Sequence, residues 1–485
     1  MPVVDTERLL STIMQTLKNY KFEIILFLST LGILGAFFLG ISGLLSPKGA
    51  DVSIKSGTNS SSANKDSATP LSTRLSDGAQ SLLPDPSALK KQGLKAYAEG
   101  DYGTAISALE GALNNNRNDP EALIYLNNAR IGGQAAHTLA VIAPVGDTSE
   151  IGLEILRGAG QAQTELNQLA GDNGIPIKIL IANDDNDPDI AKSIAAELVN
   201  RSEVLGVLGH YSSGVTLEAA TVYDRGKLPM VSAISTSVEL SGLSPYVFRT
   251  VPSDSFAAAA LARYMIDDLD AQNAVLYYDS NSAYSLSLKS EFATSVFSDG
   301  GEVMNEYDLA DSSLDADQQV ALAKEQGADV IMLASSTDTL EPSLDVMVAV
   351  NQEIPLIGGD DLYHPKVLKD GATDALGLVV AVPWHVLSDP DSQFVAGSRQ
   401  IWGGDVSWRS AMAYDAIAAL GAALQEAPSR EGVRSVLRKD NFSADGATGE
   451  VHFLPSGDRN RAAQLVQIQA GERSGLGFDF IPVDN

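Results

Sequence analysis

The run Val204-Leu205-Gly206-Val207-Leu208-Gly209-His210-Tyr211-Ser212-Ser213-Gly214-Val215-Thr216 joins an apolar stretch to a hydroxyl-rich loop and the start of a helical pattern. A short apolar run bounded in this way is a buried strand of a parallel sheet, and the loop at its carboxyl end leads straight into a helix. Backbone N–H groups left free at a helix start, together with the Ser212 and Ser213 hydroxyls, suit an anion. The next strand, Pro229 to Ser232, ends in Ser232-Ala233-Ile234-Ser235-Thr236-Ser237, a second hydroxyl cluster at the same edge. Two such clusters fit a carboxylate better than a triphosphate, because no Walker lysine or glycine-rich phosphate loop accompanies them.

Outward from this point the same alternation of apolar run, loop and amphipathic helix begins at Thr138. Leu139 to Ala143, Ile177 to Ile181, Val204 to Leu208 and Pro229 to Ser232 are the first four strands, separated by helices starting near Glu150, Pro188 and Gly214. After Phe248-Arg249-Thr250-Val251-Pro252 a second set follows, with strands at Ala274 to Tyr278, Asp329 to Leu333, Pro355 to Ile357 and Leu378 to Ala381. This order predicts an α/β fold of two successive Rossmann-like lobes, with a ligand cleft at the carboxyl ends of the strands.

Several runs together resemble the type I periplasmic binding proteins, specifically the Leu/Ile/Val-binding family of amino-acid ABC transporter receptors. They are Asn183-Asp184-Asp185-Asn186-Asp187-Pro188, the Gly209 to Gly214 loop, Leu228-Pro229-Met230-Val231-Ser232-Ala233, Phe248-Arg249-Thr250, Gly358-Gly359-Asp360 and Gly446-Ala447-Thr448-Gly449-Glu450-Val451-His452-Phe453. The resemblance covers roughly His137 to Phe480. It implies that Ser213 and Thr236 hold an α-carboxylate with nearby backbone N–H groups. The carbonyl of Ile234 and the carboxylate of Asp360 would take the α-ammonium, and Tyr284 would close over the ligand from the second lobe. Tyr211, Ser212 and Ser235 complete the candidate set. A zwitterion removed from water needs a charge-assisted partner at each end, each worth roughly 1.5 to 3 kcal/mol. Two positions depart from the family: Ala334-Ser335-Ser336-Thr337 stands where aromatic or Gly-Tyr residues are frequent, and Ile151 where an aromatic is. Tyr211, Tyr363, Trp384 and His385 are therefore candidates for the side-chain pocket, or else packing at the lobe interface.

The N-terminal part reads differently. Ile24 to Leu45 carries no charge and as a helix would span roughly 33 Å, enough to cross a bilayer. Gly43-Leu44-Leu45-Ser46-Pro47 lacks an Ala-x-Ala-like cleavage site, so the span is expected to be an uncleaved anchor behind a cytoplasmic segment, residues 1–23. Residues 46–86 are rich in Ser, Gly, Asn, Asp and Pro and are expected to form a flexible tether. Residues 87–131 resemble a short tetratricopeptide-like helical unit, notably Ala96-Tyr97-Ala98-Glu99-Gly100-Asp101-Tyr102-Gly103-Thr104-Ala105. Fewer than the three repeats needed for independent stability are present, so this unit should pack on a neighbour or on a second copy. It is either a peptide-docking element or a spacer. The binding domain is then residues 134–485.

Composition restricts the chemistry. The 485 residues carry a formal net charge of −29, which repels phosphate backbones and makes nucleic acid a poor partner. Without cysteine there is no disulfide, thiolate nucleophile, zinc ribbon or lipidated cysteine. Asn183 to Asp187 lacks the turn glycine and terminal Glu of an EF-hand loop, and Asp187 before Pro188 is better read as a helix cap. The five histidines show no metal spacing and no Gly-x-Ser-x-Gly elbow occurs, so no catalytic, cofactor or metal residue is expected. Two functions from different classes remain. One is an extracytoplasmic solute receptor, anchored in the inner or plasma membrane, that delivers an amino acid or related amide to an ABC transporter permease. The other is an envelope interaction protein resembling the activators of penicillin-binding proteins. Ser213, Thr236, Tyr284 and Asp360 favour the receptor.

Overall fold

A computed structural model of the chain describes residues 70–146, 150–171 and 174–483. The segment 1–23, the membrane helix expected at 24–45 and the tether up to residue 69 lie outside the described residues. Among the described residues no helix is long and apolar enough to cross a membrane.

Strand β1 (Leu75–Ser76) precedes the helices α1 (Ala88–Ala98), α2 (Tyr102–Asn115) and α3 (Pro120–Ile131). The first α/β set is β2 (His137–Ile142), α4 (Glu150–Ala170), β3 (Ile177–Ala182), α5 (Pro188–Asn200), β4 (Val204–Leu208), α6 (Ser213–Gly226), β5 (Met230–Ser232) and β6 (Val247–Arg249). The second is α7 (Asp254–Arg263), β7 (Asn273–Tyr278), α8 (Ala283–Ser298), β8 (Glu302–Asp308), α9 (Ala316–Gln326), β9 (Val330–Ala334), α10 (Leu340–Val350), β10 (Leu356–Gly358) and β11 (Val379–Val382). The chain ends with α11 (Gln393–Trp402), α12 (Trp408–Glu426), α13 (Arg430–Leu437), β12 (Ala444–Gly446), β13 (Gly449–Val451), β14 (Gln464–Ala470) and β15 (Phe478–Pro482).

The flexible tether expected through residue 86 ends sooner. From Pro70 the chain is part of the fold, because β1 pairs antiparallel with the edge of β3 and Arg74 reaches Asp185 at 2.6 Å. A two-residue strand has no period to detect, so its composition reads as linker. The helices then form where expected, each started by a side-chain cap: Ser87 accepts from Lys90 N, Asp101 from Thr104 N and Asp119 from Ala122 N. Helix α3 is buried on nearly every side, between the α1–α2 hairpin and α4 with β3. Its Asn128 uses both ends of the amide on the backbone of Ile179, accepting from N at 3.1 Å and donating to O at 2.7 Å. Asn167 of α4 treats Ile177 in the same way. These amides act as strand substitutes that satisfy the edge of β3 beyond β1. The helical unit thus packs on its neighbour, and from residue 70 onward the described chain forms one compact unit.

The first sheet has the order β1-β3-β2-β4-β5-β6, parallel except for β1; the second has β15-β14-β11-β10-β9-β7-β8. The central strands are apolar and buried on both faces, as parallel strands covered by helices must be. The lobes are not simply successive, as the element order suggested. Helix α12 returns to pack on α4 and on β4 and β5 of the first lobe, α13 follows it onto β4, and the second sheet is then extended by β14, antiparallel to β11, and by β15, antiparallel to β14. Apolar periodicity identifies elements but not which sheet they cover. The α12–α4 contact is so close that a Cβ on Gly158 would lie 2.1 Å from the Ser410 carbonyl oxygen.

Candidate functional site

The loop after β4 is fixed from behind. Gly209 has φ +143°, and a Cβ there would meet Ile142 at 3.0 Å, so only glycine fits. His210 is fully buried, with Nδ1 2.6 Å from Asp184 Oδ2 and Nε2 3.1 Å from the Tyr223 hydroxyl. Asn186 Oδ1 accepts from Ser212 N at 3.3 Å, and Ser213 opens α6. Asp187 caps α5 by accepting from Asp189 N and Ile190 N, as its sequence context indicated. The second hydroxyl strand end is held by Arg249, whose guanidinium donates to the carbonyls of Thr236 (2.8 Å) and Ser237 (2.7 Å) and to Asp458 (2.6 Å).

These strand ends face the second lobe across a cavity of about 340 Å³. Tyr211, Ser212, Ser213, Ile234, Thr236, Tyr284 and Asp360 all line it. Ser235 does not. Its hydroxyl donates to the Tyr211 carbonyl at 3.0 Å and lies 2.6 Å from that of Thr216, so it ties the two first-lobe loops together from behind the wall. The lobes touch: the Tyr211 and Thr337 hydroxyls are 2.9 Å apart, and Val238 N donates to Ser287 Oγ at 3.0 Å.

The walls differ in kind. The first-lobe wall presents hydroxyls and the start of α6, which are hydrogen-bond donors. The second-lobe wall presents Asp279, Asp338, Asp360 and Asp361. Burial is the largest influence on Asp360 and Asp361, and it holds both carboxyls above the ordinary carboxylate range while Arg409 opposes the rise. Behind Thr236, Asp254 is pushed up to about 7, also chiefly by burial. Arg409, from the first turn of α12, donates to Asp361 Oδ1 (3.2 Å) and to the carbonyls of Asp360 (3.3 Å) and Tyr363 (3.1 Å). It braces the loop that carries Asp360.

Sequence reasoning missed Asp361 and Arg409. Asp361 adjoins Asp360 in the same Gly-Gly-Asp-Asp run and was there to be found, whereas Arg409 comes from a distant helix with no local signal. The pocket role considered for Tyr363, Trp384 and His385 is not what the structure places there. Tyr363 and His385 line a neighbouring cavity of about 450 Å³ with Phe480, and Trp384 is buried against Phe394. In sheet order β11 lies one strand further from β7 than β10 does, so the loop after it serves a different cavity. Among the described residues no cluster of three or more His, Cys, Asp or Glu side chains could hold a metal ion.

A donor wall and an acidic wall meeting at the carboxyl ends of two sheets agree with a family-wide match: residues 138–473 fit the model of the periplasmic binding proteins. The chain belongs to that family. Its members are extracytoplasmic solute-binding proteins and not enzymes. An amino acid binding protein of Pseudomonas aeruginosa is 29% identical over 167 residues, which cover 33% of this chain and 44% of that protein. The chain thus matches less than half the length of that relative. The Leu/Ile/Val-binding protein of Escherichia coli is 22% identical over 325 residues, 64% of this chain and 85% of that protein. An ABC transporter substrate-binding protein from Desulfitobacterium hafniense, solved in complex with Leu, superimposes with a TM-score of 0.61 at 23% identity, covering 71% of this chain and 99% of that chain. That likeness is one of fold.

Proposed function

We propose that this chain is a membrane-anchored extracytoplasmic receptor that closes its two lobes on an amino acid or related zwitterion and hands it to an ABC transporter permease. The observation that carries this reading is the pairing within one cavity of Ser213 and Thr236 on the first lobe with Asp360 and Tyr284 on the second. The hydroxyls and N–H groups suit an α-carboxylate, and the carboxylate suits an α-ammonium. Amino-acid-binding relatives support the ligand class. The uncharged run from Ile24 to Leu45 supports the anchor, since no cysteine is present to carry a lipid. Release of the chain from membranes by alkaline extraction would remove the anchor from this reading.

The test of the receptor is thermal unfolding of the full chain in detergent with a panel of amino acids, amides and short acids. A ligand at one hundred times its dissociation constant is expected to add roughly 2.7 kcal/mol to the stability of the binding unit. No shift across the panel, with binding to a peptidoglycan synthase instead, would reverse the choice in favour of an envelope interaction protein.

A further inference from the structure

The second-lobe wall carries more negative charge than one α-ammonium neutralises. Four carboxylates line the cavity from that lobe, those of Asp279, Asp338, Asp360 and Asp361, a fifth, Glu218, comes from α6 of the first lobe, and no Lys, Arg or His side chain lines it. Two of them have a cationic partner outside the lining: Asp361 meets Arg409 at 3.2 Å and Glu218 meets Lys192 at 3.4 Å. Asp279, Asp338 and Asp360 form no ion pair with any described residue.

These three come from the loops after β7, β9 and β10, which are successive in the sheet order. Asp279 accepts from Ser336 Oγ at 2.5 Å and from Asn281 N at 2.8 Å. Those bonds hold the carboxylate at the wall without supplying a positive charge. Around it the lining is polar, with Ser336, Thr337 and Asn281 where an aliphatic ligand side chain would need apolar contact. The cavity is also built to receive a ligand. Thr236 and Tyr284 line it from opposite lobes and are only 5% and 7% exposed, with Asp254 behind the first and Asp360 beside the second.

We propose that the ligand bears a net positive charge: an α-amino acid whose side chain ends in an amine or guanidinium, directed to Asp279 and Asp338 while Asp360 takes the α-ammonium. This rests on the receptor reading and specifies its substrate class. Ser213 and Thr236 retain the α-carboxylate on the donor wall, so the charge of the ligand is distributed as the charge of the cleft is. Neutral aliphatic amino acids leave Asp279 and Asp338 without a counter-charge and are discriminated against.

The experiment is calorimetric titration of the full chain in detergent with arginine, lysine, ornithine, leucine, glutamine, glutamate and putrescine at low and high salt. A basic amino acid is expected to bind at least about tenfold more tightly than leucine or glutamine, with a preference that narrows as salt rises. Asp338→Asn, at an exposed position that tolerates the change, should weaken the basic ligand by about three- to tenfold and leave glutamine unaffected. Asp279→Asn gives a second, independent readout of the same preference. Leucine or glutamine binding as tightly as the basic amino acids overturns the inference and leaves the receptor standing. Putrescine binding as tightly as ornithine removes the α-carboxylate contact and overturns the inference too. No binding by any compound sinks the receptor reading together with it.

Discussion

Asp360→Asn is expected to weaken amino-acid binding by about a hundredfold or more while making the ligand-free protein more stable at neutral pH. The loss follows from leaving a desolvated ammonium without its charge partner, which costs about 2 to 5 kcal/mol. The gain follows from burial. Because the folded protein holds this carboxyl above its unfolded value, its contribution to stability is full below the unfolded pKa and is lost as pH rises through the folded one. At neutral pH the ionised group therefore penalises the empty fold, and the neutral amide does not. Binding has the opposite dependence, since the ammonium needs the ionised form. Wild-type affinity should fall on acidification from about pH 8 to about pH 5, and the Asn variant should show a shallower fall, since Asp361 and Asp254 are raised into the same range. Asp361→Asn should lose less, because Arg409 already answers Asp361 and is left free to compensate elsewhere. A variant that keeps its affinity, or a wild type with no pH dependence, would assign the ammonium to another group. Unfolding temperature and titration calorimetry on the same samples separate the two effects.

Much of this site is legible in the sequence where its determinants are local. The β4 strand, its Gly209 bend and the hydroxyls beyond it are contiguous, so one reading of residues 204–216 places an anion-binding edge. Asp360 is legible for the same reason, through the strand and two glycines before it. Ser235 shows the limit of reading residue types without direction. It sits between Ile234 and Thr236, which line the cavity, and its own side chain turns to Tyr211 and Thr216. Alternation of side chains along extended backbone would have separated them. Arg409, the return of α12 and α13 to the first lobe and the pairing of β1 with β3 depend on contacts between distant segments, and no local pattern encodes them. The run Ala334-Ser335-Ser336-Thr337 was visible as a departure from the family, though the Asp338 that follows it was not singled out. Only its place beside Asp279 turns that departure into a statement about ligand charge.

Arg459→Ala should destabilise the protein by about 3 to 5 kcal/mol, the range for leaving one member of a buried ion pair alone. Asp415, on α12, is fully buried and accepts from Arg459 Nη1 (2.5 Å), Thr448 Oγ1 (2.5 Å) and Ala447 N (2.6 Å). Burial raises its carboxyl, with Arg459 the foremost opposing influence. Without the guanidinium, the carboxyl rises further, so the variant's deficit should be larger at about pH 8 than at about pH 5. Urea unfolding should show a lower midpoint at unchanged slope. The double change Asp415→Leu with Arg459→Met should recover part of the loss, since no buried charge is then stranded, but not all of it, because Thr448 and Ala447 N lose an acceptor. A deficit under about 1 kcal/mol for Arg459→Ala would mean that water replaces the guanidinium. The consequence extends to the cleft. Arg459 follows directly on Asp458, which holds Arg249, and Arg249 holds the Thr236 carbonyl. Loosening the return segment therefore releases the strand end that presents the Thr236 hydroxyl, and ligand affinity should fall with stability in this variant although Arg459 does not line the cavity.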